Sequence, residues 1–109
     1  MESSAVVESL DNLRQLYVSG FQNPFLDSAL QKIIERQVAR DASDLQNVDS
    51  SLTEFERRYG LSSEEFRTRF QAGGMNDTAD YMEWNVLCKT RQRIVARLHI
   101  LRGEETLGT

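Results

Sequence analysis

Apolar residues recur every third or fourth position along most of the chain, which is the spacing of one face of an α-helix. Pro24, the only proline, follows Asn23, and no glycine or proline recurs until Gly60. Because asparagine caps helices well and proline suits their first position, a long helix is predicted to begin at Pro24 and to end at Gly60, with a break near Ala42 as an alternative. Its second half carries a seam with coiled-coil spacing. The seam residues are Leu45, Val48, Leu52, Phe55 and Tyr59.

A short amphipathic helix is predicted before this long one, because four apolar residues step by four, three and four positions. They are Val6, Leu10, Leu13 and Tyr17. Residues 19–23 form the turn, and so short a turn makes the two helices antiparallel. The first helix is therefore expected to cover only the start of the long one.

The chain after Gly60 contains the signals of two further helices. Ser62 and Glu65 have the spacing of a capping box, which begins a short helix that ends before Gly73. Asp77 is expected to cap the last helix, which ends at Gly103. This last helix is long enough to return along the second half of the long one.

Together these elements predict an all-α fold. It is a long antiparallel helical hairpin, coiled-coil-like, with a short N-terminal helix and a short helix at the bend. Residues 1–103 are expected to form a single domain and residues 104–109 a flexible C-terminal tail. The apolar stripes are narrow, and Val86 and Ile100 face away from the hairpin seam, so a homo-oligomer is expected to cover them.

Charged residues interrupt the apolar stripes at two places. Asp41 lies within the stripe of the long helix, where it is either paired or, as we expect, placed in a partly solvated gap between packing partners. Arg91 lies within the stripe of the last helix, so it should pair with an acid of the long helix or reach an acidic partner. Lys89, Arg93 and Arg97 lie opposite the core and are expected to be solvated.

Composition narrows the classes of function. The 109 residues carry 13 Lys and Arg against 17 Asp and Glu, a net charge of −4, which disfavours general binding of nucleic acid. One cysteine and one histidine exclude a disulfide framework and a Cys/His zinc site of four ligands. The acidic N-terminus does not have the pattern of a secretory signal, and no apolar run is long enough to cross a membrane, so a cytoplasmic protein is expected.

Catalysis is not expected from the residues present. Cys88 and His99 are eleven positions apart, which is about 16 Å along a helix and too far for a catalytic dyad. Asp77, Asp80 and Glu83 step by three, but acids at the start of a helix are ordinary capping chemistry, so no metal site is expected. We therefore expect neither enzyme activity nor a cofactor.

Aromatic and acidic residues are concentrated between positions 54 and 84. Tyrosine and tryptophan are enriched at interfaces, and carboxylates there tune the rate of association. The candidate partner-binding residues are Tyr59, Asp77, Asp80, Tyr81, Glu83 and Trp84. For Trp84 the alternative is that it is simply the largest core residue at the bend.

The same stretch carries a family resemblance. It consists of residues 55–66 (FERRYGLSSEEF), then residues 70–73 (FQAG), and then Asp77, Asp80, Glu83 and Trp84. This pattern resembles that of small bacterial helical proteins treated as antitoxins of two-gene toxin–antitoxin pairs. The chain departs from the pattern at Gly74, Asn76 and Thr78, which thins the acidic patch.

The resemblance implies a non-catalytic interaction protein that binds and masks a cognate toxin, with carboxylates imitating a phosphate backbone against a basic surface. Two alternatives stay open. Residues 52–72 resemble a helix-turn-helix, which would make the chain a DNA-binding regulator, although Glu64 and Glu65 would then face phosphates. The other alternative is a structural helical dimer that has no toxin as its partner.

Overall fold

The computed structural model describes residues 2–104, and these form four α-helices joined by short turns, without a β-strand among them. The helices are α1 (Glu2–Val18), α2 (Pro24–Tyr59), α3 (Ser63–Gln71) and α4 (Ala79–Leu101). The prediction of an all-α fold is confirmed, and so is the end of the longest helix at Gly60. α2 continues through Ala42 without a break. Of the tail expected at 104–109, residues 105–109 lie outside the described part of the chain.

Both ends of α2 are capped as the sequence predicts. The side-chain Oδ1 of Asn23 accepts hydrogen bonds from the backbone N–H groups of Phe25 and Leu26, at 3.0 and 3.1 Å. At the other end Gly60 adopts a φ of 63°, which glycine reaches without steric cost. Its backbone N–H donates to the carbonyl of Glu56 at 2.8 Å and so closes the last turn.

The N-cap predicted for α3 is confirmed, whereas the N-cap predicted for α4 is wrong. Ser62 and Glu65 form the predicted capping box, and the Ser62 Oγ accepts from the Glu65 backbone N–H at 3.0 Å. For α4 the prediction of Asp77 as the cap is wrong, because the Oγ1 of Thr78 accepts from the backbone N–H of Tyr81 at 3.1 Å. Aspartate and threonine both cap well, so a helix start shifted by one position decides which of two neighbours is used.

Contacts divide the chain into two units, Met1–Ile33 and Ile34–Thr109. In the first unit the end of α1 meets the start of α2, where the Tyr17 hydroxyl donates to the Asp27 carboxylate at 2.6 Å. Val6 and Leu10, which lie earlier on the same face of α1, are 57% and 56% exposed. The apolar face of α1 is therefore partly covered near the turn and open near its start.

The second unit is a helical hairpin in which the second half of α2 packs against α4, with α3 at the bend. This arrangement confirms the predicted architecture. Its core takes residues from all three helices. They are Leu52 and Phe55 of α2, Phe66 of α3, and Trp84 and Cys88 of α4. Further along α4, Ile94 and Leu98 are also buried, so one side of this helix is apolar over most of its length.

Asp41, in the middle of α2, is almost completely buried, with 1% of its surface exposed. Arg97 of α4 binds its carboxylate through two hydrogen bonds of 2.8 and 2.9 Å, and Gln37 adds a third of 3.0 Å. The expectation of a solvated gap at Asp41 is wrong, because the long side chain of Arg97 reaches across from the flank of α4. The prediction that Arg97 lies opposite the core with the solvated cations is wrong for the same reason. The hydrogen bonds from Arg97, and to a smaller extent that from Gln37, hold the pKa of Asp41 below its ordinary value.

A second ion pair joins the same two helices. The Nε of Arg91 lies 2.7 Å from the Oδ1 of Asp49, which confirms the first of the two roles predicted for this arginine. Two arginines of α4 thus bind acids of α2 at separate points, and both pairs hold the helices in one antiparallel register.

The buried ion pair predicts the effect of removing its cation. Arg97→Met leaves the Asp41 carboxylate buried without its partner, so we expect the melting temperature at pH 7 to fall by on the order of 10 °C. Arg93→Met changes an exposed arginine of the same helix and is the matched control. It should shift the melting temperature by about 2 °C at most. Equal shifts in the two variants would contradict the assigned role of Arg97.

The same pair should give stability a pH dependence. The folded pKa of Asp41 is lower than its ordinary value of 3.8, so the pair stabilises the protein above that pH. Its contribution is lost as the pH falls through the lowered pKa, and the difference between the native protein and Arg97→Met should shrink accordingly. Thermal unfolding followed by circular dichroism between pH 7 and pH 3 measures this difference.

Candidate partner-binding surface

Trp84, one of the six residues predicted to contact a partner, is completely buried. Its ring stacks on that of Phe66 with centroids 4.0 Å apart and on that of Phe55 at 5.5 Å. Its indole Nε1 donates to the Oγ of Ser63 at 2.9 Å, so the only polar atom of the ring is also satisfied. Of the two alternatives for Trp84, the structure thus places it in the core, and it has no surface left for a partner in this conformation.

Two tyrosines extend this aromatic cluster towards the surface. Tyr81 is half-buried, with its ring 5.7 Å from Phe66 and 5.2 Å from Tyr59. Tyr59 stacks on Trp84 at 5.8 Å and is 39% exposed. Tyr59 therefore packs on the core with one side and remains open to solvent on the other.

The carboxylate of Asp80 is occupied within the chain. It accepts hydrogen bonds from the Tyr59 hydroxyl and from the Arg58 guanidinium, the latter at 2.9 Å. These bonds, that of Tyr59 foremost, lower the pKa of Asp80, and the same bond raises the pKa of Tyr59. Arg58 also lies over the ring of Phe55, 5.3 Å from its centroid, which fixes the guanidinium on the hairpin. Asp80 therefore joins α4 to the end of α2.

The carboxylates of Asp77 and Glu83, unlike that of Asp80, are not held by a cation of the described residues. Both are exposed, and neither forms a salt bridge with another residue in the described part of the chain. Of the six predicted contact residues, the two acids and Tyr59 thus present most of the surface. The prediction that this group binds a partner stays a prediction.

A further exposed surface lies along α4, away from the buried residues of the hairpin core. We call it the outer face of α4, and it consists of Met82, Val86, Lys89, Arg93 and Ile100. Met82, Val86 and Ile100 are 55%, 56% and 76% exposed. Lys89 and Arg93 are exposed and form no salt bridge with a described residue. The face therefore carries apolar side chains towards both ends and two cations between them.

The sequence contains a signal for this face, part of which is the predicted position of Val86 and Ile100 away from the hairpin seam. The positions step by four, three, four and seven along α4, which is the spacing of a second helical seam. Periodicity alone marks two seams on this helix. Only the fold tells which of them is covered, because α2 and α3 both pack on the side that holds Trp84.

Cys88 and the acidic residues are the remaining candidates for chemistry among the described residues. Cys88 is buried, and burial raises the pKa of its thiol, which makes it a poor nucleophile at neutral pH. No group of three His, Cys, Asp or Glu residues is placed to hold a metal ion in residues 2–104. None of the four helices is long and apolar enough to cross a membrane.

Comparisons with known proteins were made at three levels. Searches of family models, of curated proteins and of solved structures give no match to this chain.

Burial of Trp84 predicts a large effect on stability. Trp84→Ala removes the largest side chain of the core, so the free energy of unfolding should fall by about 3–5 kcal/mol. Met82→Ala, two residues away on the outer face, is the control and should change it by about 0.5 kcal/mol or less. Urea titration followed by circular dichroism measures both. A Trp84→Ala protein as stable as its control would show that the indole is not a core group.

The two acids of α4 should respond differently to neutralisation. Asp80→Asn weakens the hydrogen bonds from Tyr59 and Arg58, so the melting temperature at pH 7 should fall by a few degrees, whereas Glu83→Gln should leave it unchanged. Because the folded pKa of Asp80 is lowered, its contribution is present above pH 3.8 and is lost as the pH falls through the lowered pKa. The Asp80→Asn protein should therefore approach the native one in acid. Equal effects of the two substitutions at pH 7 would refute this distinction.

Proposed function

We propose that this chain is a non-catalytic protein-interaction module of the antitoxin kind, which binds a partner protein and masks its working surface. The observation that carries the proposal is the outer face of α4. Its three large apolar side chains are each more than half exposed on a helix whose other side is fully used by the core. Exposed apolar groups in a row are typical of surfaces that bind another protein.

The form of this face favours a helical partner. Its positions follow a seam spacing over most of α4, so a second helix could lay its own apolar residues along it. A partner bound in this way would be masked sterically, without chemical change. The exposed acids Asp77 and Glu83, near the start of α4, would add electrostatic steering towards a basic surface on the same partner.

The resemblance of residues 55–84 to antitoxins supports the class of partner. In this chain the matched residues Phe55, Phe66 and Trp84 build the core that holds α4 in place. The pattern is therefore best understood as what supports the binding helix, while the contacts themselves are made by the outer face.

The homo-oligomer, which the sequence pattern predicts at Val86 and Ile100 of α4, is instead proposed to form through α1. Val6 and Leu10 are exposed, and none of the four seam residues Val6, Leu10, Leu13 and Tyr17 is charged. The seam residues are four, three and four positions apart, so their spacing is the same from either end of the helix. An antiparallel second copy of α1 would therefore place apolar residues opposite apolar residues.

DNA binding by residues 52–72 is the less favoured function. Glu64 and Glu65 occupy the first turn of α3, where a recognition helix would meet phosphates. The net charge of −4 opposes the same contact.

The proposal predicts the outcome of a growth assay with the product of the neighbouring gene. That product alone should arrest growth, and co-expression of this chain should restore it through formation of a complex that can be purified. The triple variant Met82→Ser, Val86→Ser, Ile100→Ser removes the apolar part of the outer face, so it should fold but lose most of the rescue.

Phe25→Ser is the matched control, since it replaces a side chain that is 81% exposed outside the outer face, and it should rescue as the native chain does. Rescue by the folded triple variant would contradict the role of the outer face. A neighbouring product that neither arrests growth nor binds would contradict the antitoxin function. A shift of the chain's own promoter DNA without a protein complex would favour the DNA-binding alternative.

A further inference from the structure

We propose that the outer face of α4 binds an acidic amphipathic helix, one that is apolar towards its two ends and carries aspartate or glutamate at its centre. This inference depends on the proposed function and names the chemistry of the partner at the same surface. It follows from the order of residues along the face and from the way α4 distributes its cations.

The length and shape of the outer face suit a helical partner. From Met82 to Ile100 it spans eighteen positions, which is about 27 Å of helix and enough for five turns of a partner helix. The exposed side chain of Ala96 lies on the same seam between Arg93 and Ile100. A small residue there lets a partner helix approach closely, as at the holes of a coiled coil.

The centre of the outer face is positively charged. Two other arginines of α4, Arg91 and Arg97, turn towards α2 and bind Asp49 and Asp41. Lys89 and Arg93 occupy the middle of the exposed seam and form no salt bridge with a described carboxylate. Arg93 lies at the edge of this face, where it also borders the groove that Asp44 of α2 lines.

Cations placed centrally in a seam select for acids on the partner. Buried between two helices, Lys89 and Arg93 would lose part of their hydration, and carboxylates opposite them would compensate for that loss. Flanking apolar contacts by Met82, Val86 and Ile100 would exclude water around the charged pairs.

The same charges argue against a second copy of this chain at the outer face. In an antiparallel pair Lys89 would lie opposite Arg93 of the second copy, and in a parallel pair each cation would meet itself. Like charges meet in either orientation, so self-pairing of α4 is disfavoured. The uncharged seam of α1 has no such conflict. The two exposed seams of the chain therefore suit different partners.

Nucleic acid fits the outer face poorly. Two cations would contact few phosphates, and Met82, Val86 and Ile100 would remain uncovered beside them. Only a partner that is itself amphipathic satisfies both the apolar ends and the charged centre.

The test uses two synthetic helical peptides of about 21 residues, three heptads each. They are identical, with leucine at the seam positions, except that the two central seam positions are glutamate in one peptide and lysine in the other. The full-length chain should bind the glutamate peptide at least about tenfold more tightly than the lysine peptide, measured by fluorescence anisotropy. The preference should weaken as salt is added.

Charge reversal should invert the preference. Lys89→Glu with Arg93→Glu should bind the lysine peptide better than the glutamate peptide. The matched control is Lys32→Glu with Arg36→Glu, an exposed basic pair with the same spacing on α2 and the same change in net charge. The control should keep the preference of the native chain, and circular dichroism should show that both variants are folded.

Three results would overturn the inference. They are equal binding of the two peptides, binding of neither at about 100 μM, and a loss of preference in the control that equals the loss in the charge-reversed variant. The growth assay separates this failure from that of the proposed function. If the apolar triple variant loses rescue while the peptides show no preference, the face binds a partner but not through acids.

Discussion

The structure depends on one indole of α4, which packs against both α2 and α3. Trp84 of α4 lies with its ring on Phe66 of α3 and Phe55 of α2, and this contact is where the three helices meet. Because the indole is completely buried and closely packed by side chains of all three helices, it fixes how far along α2 the fourth helix begins. The hydrogen bond from the indole to Ser63 sets the rotation of α3 as well.

The two ion pairs follow from the register that this stack sets. From Trp84, α4 reaches Arg91 after seven residues and Arg97 after six more, while α2 runs back from Phe55 to Asp49 and then to Asp41 in steps of six and eight. Nearly equal steps on two antiparallel helices bring each arginine level with its acid. Satisfying a buried carboxylate in this way also disfavours slipped registers, because a slip would leave Asp41 unpaired.

The helices and most of their caps could be predicted from the sequence, whereas the surroundings of individual side chains could not. The interval without glycine or proline predicted α2 from Pro24 to its end, and the Ser62–Glu65 spacing predicted the cap of α3, because both signals are local. The environment of Asp41 is not predictable in this way, because its partner lies on α4, 56 residues later, where no local pattern indicates it. Trp84 could not be assigned from sequence, since the same residue type suits cores and interfaces. The outer face was visible as a spacing, but its exposure depends on how α2 and α3 pack.

The open face of α1 has a consequence for the lifetime of the chain. None of its described side chains is buried, so little apolar contact is lost when the helix opens. Its backbone amides should exchange with solvent far sooner than those around Trp84, and proteases should cut there first. A chain whose α1 is not covered by a second copy would then be degraded from this helix first. Abundance of the protein would follow the abundance of whatever covers α1, because binding removes the open state from the equilibrium.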